Sequence, residues 1–201
     1  MAVNAVAPGV LAEEAKRLDA LLVHYSTDYV FDGGKRTPYV EEDAPVPLSA
    51  YGASKLAGER AVQSSGCRYL LLRTSWVYGP RASNFYAAIK RKADSAEPMR
   101  MVDDQTSVPT PASFLAATTI ALLKKDCAGL MHLVPSGEAT RLDFAREVVR
   151  LSGSRSEIQP ARTADFPSAA RRPIYSAMSN ARASAALGRA LPDWRRLLPM
   201  V

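Results

Sequence analysis

Residues 20–29 of the chain read ALLVHYSTDY, and the rest of the sequence can be interpreted outward from them. The run from Ala20 to Tyr25 is apolar apart from one histidine, a pattern typical of a strand buried on both faces. Because open α/β sheets bind ligands at the carboxyl ends of their parallel strands, we expect a ligand site where this strand ends. Hydroxyls and a carboxylate follow at that point, on Ser26, Thr27, Asp28 and Tyr29.

Helices and strands alternate around this stretch. Apolar residues recur at helical spacing over residues 4–16 and again over 51–63, and a second apolar run, YLLLR, covers 69–73. A polar loop rich in glycine and proline fills 32–49. Helices that alternate with buried strands predict a parallel sheet covered on both faces, so we expect an α/β, partial Rossmann-like fold.

The pattern becomes less regular beyond Gly79, which indicates a smaller lobe. Further predicted elements are a helix over 85–93, a strand over 99–102, a helix over 113–125, a strand over 129–134, and a helix that runs to Leu151 behind a capping box of Thr140 and Asp143. We therefore assign 1–80 and 112–134 to a partial Rossmann domain with the cofactor and catalytic groups. Residues 81–111 and 135–201 are assigned to a small C-terminal substrate-binding lobe.

The composition is that of an ordinary globular protein, with 47% hydrophobic and 23% charged residues among 201. No run approaches the roughly 18 apolar residues of a membrane span, and the start MAVNAVAPGV lacks the basic region of a signal peptide. We therefore expect a cytoplasmic protein without membrane contact. Cys67 and Cys127 have no second cysteine or histidine at metal-ligand spacing, which argues against a disulfide or a metal site.

The formal net charge is +6. Because the basic residues are scattered and often lie near Asp or Glu, most of them indicate solvated surface and not a nucleic-acid interface. A few could line a pocket for an anionic ligand, since guanidinium groups match phosphate oxygens well. The basic groups are Lys35 and Arg36, Lys90 to Lys92, Lys124 and Lys125, Arg171 and Arg172, and Arg195 and Arg196.

Tyr51 and Lys55 stand four residues apart at the start of the helix predicted over 51–63. On a helix this spacing puts both side chains on one face. A lysine ammonium close to a phenol stabilises the phenolate, which suits a tyrosine for proton transfer near neutral pH. The spacing also occurs by chance on many helices, but this helix lies between two buried strands and follows the polar groups at the end of the first.

Several blocks of the sequence together resemble the dTDP-4-dehydrorhamnose reductase family, a branch of the extended short-chain dehydrogenases/reductases. They occur in the family's order and span nearly the whole chain: VHYSTDYVFDG (23–33), AYGASKLAGE (50–59), RTSWVYGP (73–80), DDQTSVPT (103–110), RRPIYSAMSNAR (171–182) and LPDWR (191–195). One departure is Ser107, which stands where the family usually has glycine. If that glycine has a positive φ or lets a ligand approach the backbone, a serine would strain or narrow the site.

The resemblance implies hydride transfer from NADPH or NADH to the C4 ketone of a dTDP-4-dehydro-6-deoxy sugar, giving dTDP-rhamnose. In that reaction Thr27 would bind the keto oxygen, Tyr51 would donate the proton, and Lys55 would tune Tyr51 and hold the nicotinamide ribose. The resemblance further implies substrate binding by Asp28, Tyr29 and Trp76, and cofactor binding by Ser26, Thr74 and Ser75 together with Tyr51 and Lys55.

The residues taken alone leave other interpretations open. Asp28 could cap a turn, and Tyr29 and Trp76 could be core aromatics. Other polar residues within the strands are expected to be structural, namely Arg73 as an anchor for backbone, and His24 and His132 as satisfied core histidines and not proton carriers.

Nothing near the amino terminus resembles the strand, G-x-x-G-x-x-G turn and helix that hold a dinucleotide pyrophosphate, and DGG at 32–34 is a turn signal. In the family, on the order of 90 residues of βαβ units would precede this sequence. We therefore expect the chain by itself to bind NADPH weakly, to leave the sugar unreduced and to expose an apolar strand edge. The preference between NADPH and NADH stays open, because the residue that meets the adenosine ribose would lie in that segment.

Two further functions stay open beside the reductase. One is another extended reductase or epimerase acting on a different nucleotide sugar, against which Trp76 and the LPDWR ending argue. The other is a non-catalytic nucleotide-sugar-binding or regulatory subunit, against which the intact Thr27, Tyr51 and Lys55 argue. Each predicts a small-molecule ligand, no nucleic acid and no membrane, and each is compatible with a homodimer.

Overall fold

The computed structural model describes residues 1–80 and 84–200. Its α-helices are α1 (Ala7–Arg17), α2 (Ala50–Ser64), α3 (Phe85–Asp94), α4 (Ala112–Lys124), α5 (Arg141–Leu151), α6 (Ala181–Leu187) and α7 (Trp194–Leu197). Its strands are β1 (Leu22–Thr27), β2 (Tyr69–Thr74), β3 (Val77–Tyr78), β4 (Met99–Val102), β5 (Thr106–Ser107), β6 (Thr110–Pro111), β7 (Gly129–His132), β8 (Ala139–Thr140) and β9 (Ile158–Ala161). Shorter helical turns cover Ala2–Val6, Asp28–Val30, Thr163–Asp165 and Leu198–Met200. None of the helices in the two described ranges combines the length and apolar character needed to cross a bilayer.

A three-stranded parallel sheet has the order β1-β2-β7. β1 and β2 pair along their whole length, ending with Thr27 opposite Thr74. β7 pairs with β2 as well, with His132 opposite Arg73. The predicted parallel α/β arrangement is confirmed, and the carboxyl ends of β1 and β2 lie side by side.

Helices cover both faces of this sheet, as the sequence predicts. Leu70, Leu71 and Leu72 of β2 are all fully buried, which requires cover on both sides because successive side chains of a strand point to opposite faces. On one face α1 and α2 form a cluster with the start of β2 through Ala12, Ala15, Val62 and Cys67. On the other face α4 and α6 pack on β2 and β7 through Leu70, Leu72, Phe114, Leu115, Leu122, Met131 and Ala183.

The first strand begins and ends later than its apolar run suggests. β1 spans Leu22–Thr27, whereas the apolar run predicts a strand over 20–25. α1 closes with a turn in which the Ala20 amide donates to the Ala15 carbonyl, so the first two apolar residues belong to the connection. The strand then continues through the following serine and threonine because their backbone pairs with β2. These two hydroxyl residues are therefore held by the sheet itself.

A second core lies beyond β2. β4 pairs in parallel with β9, and α5 packs against both strands and against α3. The capping box predicted at the start of α5 is confirmed, because Thr140 and Asp143 exchange side-chain to backbone hydrogen bonds. The predicted start of the lobe, at residue 81, lies outside the described residues. The core consists mainly of Tyr78, Ile89, Met99, Phe144, Val148, Trp194 and Leu198.

A buried ion pair links β2 to α2. Arg73 donates from Nε and Nη2 to the Glu59 carboxylate, over 3.0 and 2.7 Å, and both side chains are almost completely buried. The expectation that Arg73 anchors backbone is therefore wrong. Its guanidinium also lies 5.2 Å from the centre of the Phe31 ring. Because removing either partner would leave an uncompensated buried charge, the pair fastens α2 to the sheet.

His132 lies fully buried at the end of β7. Its Nδ1 is 3.2 Å from the Tyr39 carbonyl oxygen, and its ring meets Phe31 edge-on with centroids 5.7 Å apart. Burial, reinforced by the Arg73 charge, lowers the pKa of His132 to about 3. His132 is therefore a core histidine, as predicted, but it is not fully satisfied, because its Nε2 has no hydrogen-bond partner within residues 1–80 and 84–200.

This shift predicts how stability depends on pH. Because the folded-state pKa of His132 lies below the ordinary 6.5, the neutral ring contributes stability above that pH, and this contribution is lost as the pH falls towards the folded-state value. Between about pH 7 and pH 5 we expect His132 to remove about 2 kcal/mol from the free energy of unfolding. Urea unfolding should show the loss in the protein but not in His132→Gln, whose amide can still donate to Tyr39. An equal pH dependence in both proteins would contradict the prediction.

The first turn of α2 approaches the preceding loop at Gly52. A Cβ at this position would lie 2.2 Å from the Tyr29 carbonyl oxygen, so the contact requires glycine. Ser49 caps the helix by accepting from the Gly52 amide over 3.1 Å. The glycine therefore lets α2 begin directly beside the 28–30 turn, next to the end of β1.

We expect Gly52→Ala to lower the free energy of unfolding by about 1–3 kcal/mol, because the new methyl group must push the helix away from backbone. A matched control is Gly79→Ala, since its Cβ would lie an ordinary 3.7 Å from Ala112. The control should change stability by no more than about 0.5 kcal/mol. Denaturant unfolding of both variants checks this, and similar losses in the two would show that crowding at Gly52 is not the cause.

Candidate active site

A cavity of about 380 Å³ opens at the carboxyl ends of β1 and β2. The smaller lobe closes it with Phe85, Arg141 and Phe144. The parallel sheet thus brings together side chains that are far apart in the sequence. Of the predicted site residues, Lys55 is the one that does not line this cavity; those that do are Ser26, Thr27, Asp28, Tyr29, Tyr51, Thr74, Ser75 and Trp76.

Tyr51 lies in the first turn of α2, at the wall of the cavity. Its side chain is 49% exposed, and its ring meets that of Tyr29 edge-on with centroids 6.0 Å apart. The close approach at Gly52 places the phenol beside the 28–30 turn and in the same cavity as Thr27. A phenol that faces an open cavity can exchange a proton with a bound ligand.

Lys55 lies one turn further along α2 and points to β1. Its ammonium donates to the Tyr25 carbonyl over 2.6 Å and lies 3.5 Å from Nε2 of His24. Burial lowers the pKa of Lys55, while the Glu59 carboxylate acts in the opposite direction. The interpretation of His24 as a satisfied core histidine is wrong, because its ring is partly exposed and borders the lysine of the site. Burial and then the Lys55 charge lower the pKa of His24.

A hydroxyl cluster surrounds the carboxylate of Asp28. The Thr27 hydroxyl accepts from the Tyr29 amide and donates to Asp28 Oδ1, each over 3.2 Å. Asp28 Oδ2 accepts from Ser107 over 3.0 Å and from Ser176 over 2.5 Å. The backbone of Ser107 does not have a positive φ, so the strain expected for a serine at this position is absent. The serine hydroxyl instead adds a hydrogen bond to the cluster.

Two buried hydroxyls beside the cavity, Ser26 Oγ and Thr74 Oγ1, have no partner within residues 1–80 and 84–200. They lie on neighbouring strands, at the carboxyl ends of β1 and β2. Ser75, by contrast, donates to the Val108 carbonyl over 2.7 Å. Because an unpaired buried hydroxyl is costly, these atoms indicate a polar ligand group that would pair with them. The ribose or carboxamide of a nicotinamide nucleotide has groups of the right kind.

Trp76 forms another wall of the cavity. Its φ is +40°, a left-handed conformation that costs a residue other than glycine on the order of 1–3 kcal/mol and often occurs at functional sites. Trp76 and Tyr29 are both partly exposed at the cavity. They are therefore pocket residues in this structure and not core aromatics.

Arg141 is a site residue that the sequence does not single out. Its guanidinium lies 4.4 Å from the centre of the Trp76 ring and 4.8 Å from that of Phe85, within the range of cation–π attraction. Its Nε also donates to the Gln105 side-chain oxygen over 3.2 Å. The Arg141 charge lowers the pKa of Tyr29, which burial and then the Asp28 charge raise. The sequence signal around Arg141 is the capping box of α5, which says nothing about these contacts.

A second cavity, of about 610 Å³, shares Phe85 and Arg141 with the first. Three more arginines line it, Arg100, Arg171 and Arg172. Two of these form one of the basic pairs that the sequence left open between surface and anion site. Guanidinium groups bind phosphate oxygens well. The adjoining cavities therefore suit an elongated ligand whose anionic part lies against these arginines and whose other end lies near Tyr51.

Known proteins are similar to this chain in sequence. Residues 1–201 match the family described as RmlD substrate binding domain. The dTDP-4-dehydrorhamnose reductase of Burkholderia thailandensis is 41% identical over 210 residues, which cover 96% of this chain and 70% of the relative. The dTDP-4-dehydrorhamnose reductase of Escherichia coli K12 is 38% identical over 204 residues, which cover 96% of this chain and 68% of the relative.

Solved structures show the same fold. The dTDP-4-dehydrorhamnose reductase of Bacillus anthracis in complex with NADP superposes with a TM-score of 0.93 at 31% identity, covering 98% of this chain and 70% of that one. The corresponding reductase of Clostridium acetobutylicum gives 0.91 at 34% identity, covering 98% and 70%. A UDP-glucuronic acid 4-epimerase from Bacillus cereus, at 24% identity and a TM-score of 0.79, shares the fold over 94% of this chain and 62% of its own. The chain belongs to the dTDP-4-dehydrorhamnose reductase family.

Proposed function

We propose that this chain carries the catalytic and sugar-binding groups of a reductase that transfers a hydride from NADPH or NADH to the C4 ketone of a dTDP-6-deoxy-4-ketohexose, giving dTDP-rhamnose. The observation that carries the proposal is that Thr27 and Tyr51 line one cavity, next to the unpaired hydroxyls of Ser26 and Thr74. Reduction of a ketone needs a hydride donor, a hydrogen bond to the carbonyl oxygen and a proton source within reach of it. These side chains offer the hydrogen bond and the proton source, and they leave a place for the hydride donor.

Tyr51 donates a proton to the alkoxide as it forms, and Thr27 donates a hydrogen bond to the same oxygen. Lys55, one helical turn away, holds the nicotinamide ribose and tunes Tyr51 in this proposal. The Tyr25 carbonyl holds the Lys55 ammonium in place. Catalysis comes mainly from orienting these groups around the carbonyl.

The nicotinamide end of the dinucleotide is held by Ser26, Thr74 and Ser75, together with Tyr51 and Lys55. When bound, NADPH or NADH supplies the hydride. The unpaired oxygens of Ser26 and Thr74 support this assignment, because a polar ligand would remove the cost of burying them.

The sugar nucleotide lies across the two adjoining cavities. Tyr29 and Trp76 contact the sugar. Asp28 acts on the substrate through its hydrogen bond with the Thr27 hydroxyl. The diphosphate lies against the arginines of the second cavity, which are Arg100, Arg141, Arg171 and Arg172. The dTDP-4-dehydro-6-deoxy sugar fits this arrangement because it is anionic at one end and carries its ketone at the other.

The same proposal divides the chain into a cofactor and catalytic part, 1–80 and 112–134, and a nucleotide-sugar-binding lobe, 81–111 and 135–201. The hydrophobic cluster around α5 supports a separate lobe, whereas α6, which falls within 135–201, packs on the sheet through Ala183. We also propose a cytoplasmic location, in keeping with free thiols at Cys67 and Cys127. A homodimer stays a prediction, which the molar mass in solution would test.

Two other functions remain as alternatives. Another extended reductase or an epimerase would act on a different nucleotide sugar in the same cavity, and turnover with a panel of nucleotide sugars separates it from the first proposal. A non-catalytic nucleotide-sugar-binding or regulatory subunit would bind the sugar nucleotide without consuming NADPH. Binding without turnover would therefore favour that alternative.

The central test is to follow NADPH consumption with dTDP-4-dehydrorhamnose in an otherwise complete enzyme that carries this sequence, because the chain by itself is expected to bind NADPH weakly. Tyr51→Phe should lower kcat by about 100-fold or more, with little change in affinity for the sugar nucleotide, because the phenol acts mainly in the transition state. Tyr69→Phe is a matched control, since Tyr69 lies at the start of β2, at the opposite end of the strand from the cavity. The control should keep its kcat. An unchanged kcat in Tyr51→Phe would show that another group supplies the proton.

A further inference from the structure

The Thr27 hydroxyl is already engaged in the structure. It accepts from the Tyr29 amide and donates to Asp28 Oδ1. A threonine hydroxyl has one hydrogen and two lone pairs. While the bond to Asp28 persists, Thr27 therefore has no hydrogen for the carbonyl oxygen of a ligand, although its proposed role requires one.

The Asp28 carboxyl group is enclosed by hydroxyls. Asp28 is 2% exposed, and Ser107 and Ser176 are 0% and 2% exposed. Both serines donate to Oδ2, whereas Oδ1 faces Thr27. Because Oδ2 already has two donors, a proton on this carboxyl group belongs on Oδ1.

We propose that Asp28 is a positioning residue that sets the direction of the Thr27 hydroxyl, and that its protonated form turns Thr27 towards the ketone of the substrate. In the ionised form, Oδ1 accepts the Thr27 hydrogen. In the protonated form, Oδ1 donates to the second lone pair of Thr27, and the Thr27 hydrogen is free for the keto oxygen. The step adds one proton from solvent to the carboxylate and changes no other bond. It rests on the proposed reduction of a 4-keto sugar.

The surroundings make both forms of Asp28 accessible near neutral pH. Burial raises the pKa of Asp28 to about 6, while the hydrogen bonds from Ser176, Ser107 and Thr27 act in the opposite direction. The titratable groups that interact with its charge include Tyr29 beside it and Arg141 on α5. A ligand ketone that accepts from Thr27 would further favour the protonated form, so binding should take up protons.

The ionisation of Asp28 can be followed by carbon-13 NMR of protein labelled at its aspartate carboxyl groups. We expect the Asp28 carboxyl to titrate with a pKa of about 6. Ser107→Ala should titrate at higher pH, because it removes a donor that favours the ionised form. Ser65→Ala is a matched control, since Ser65 is buried but donates to the Val62 carbonyl over 2.8 Å, and it should leave the titration unchanged. An Asp28 titration that does not move in Ser107→Ala would overturn the proposal.

Calorimetric binding of dTDP-4-dehydrorhamnose tests the coupling to the ligand without requiring turnover. Between about pH 7 and pH 5 the affinity should rise about 5-fold, the gain from one neutral hydrogen bond. Proton uptake should accompany binding. Thr27→Val should bind weakly at every pH. Asp28→Asn should bind tightly at every pH, because its amide donates to Thr27 whatever the pH.

The outcomes separate this proposal from the proposed function. If the unmodified protein binds no dTDP-4-dehydrorhamnose at any pH, the proposed function fails. If it binds with the same affinity throughout the pH range while Asp28 titrates, only the positioning role fails. The positioning role also fails if Asp28→Asn binds as weakly as Thr27→Val, since a purely structural carboxylate would produce that result.

Discussion

The parallel pairing of β1 with β2 is the constraint on which the rest of the structure depends. Backbone hydrogen bonds hold neighbouring strands about 4.8 Å apart, and here they place Thr27 opposite Thr74. The two strand ends therefore present their hydroxyls at one edge of the sheet. The helix that joins the strands, α2, must return along the face of the sheet, which carries Tyr51 to the same edge. The cavity forms where these three elements meet.

A buried charge pair keeps the connecting helix in register with the sheet. Glu59 of α2 and Arg73 of β2 are enclosed together, so sliding the helix would separate two desolvated charges. The same carboxylate counteracts the effect of burial on Lys55 and on His24. One ion pair thus links the position of the helix to the electrostatics of the site.

The site is completed only where the later part of the chain folds back. Ser107 and Ser176 reach the Asp28 carboxylate, and Arg141 packs on Trp76 across the cavity. The two contacts to Asp28 connect the end of β1 to segments 79 and 148 residues further along the chain. The polar cluster therefore fixes the geometry of the cavity and the junction between the two cores together.

Short-range periodicity predicts those features that depend only on residues close together in the chain. Two buried strands, the helix with Tyr51 and Lys55 on one face, and the capping box of α5 all follow from residues within a few turns of one another. The apolar run predicts a strand that ends at Tyr25, whereas β1 ends at Thr27. The length of the strand depends on its pairing with β2, and a local sequence pattern contains no information about that pairing.

Which distant groups meet depends on tertiary packing. It paired Arg73 with Glu59, placed His24 beside Lys55 and brought Arg141 over Trp76. The physical reason is that such contacts depend on how elements pack, whereas a sequence records only which side chains are available. A serine at position 107 therefore suggested strain in the sequence, and in the folded chain it is a hydrogen-bond donor to Asp28.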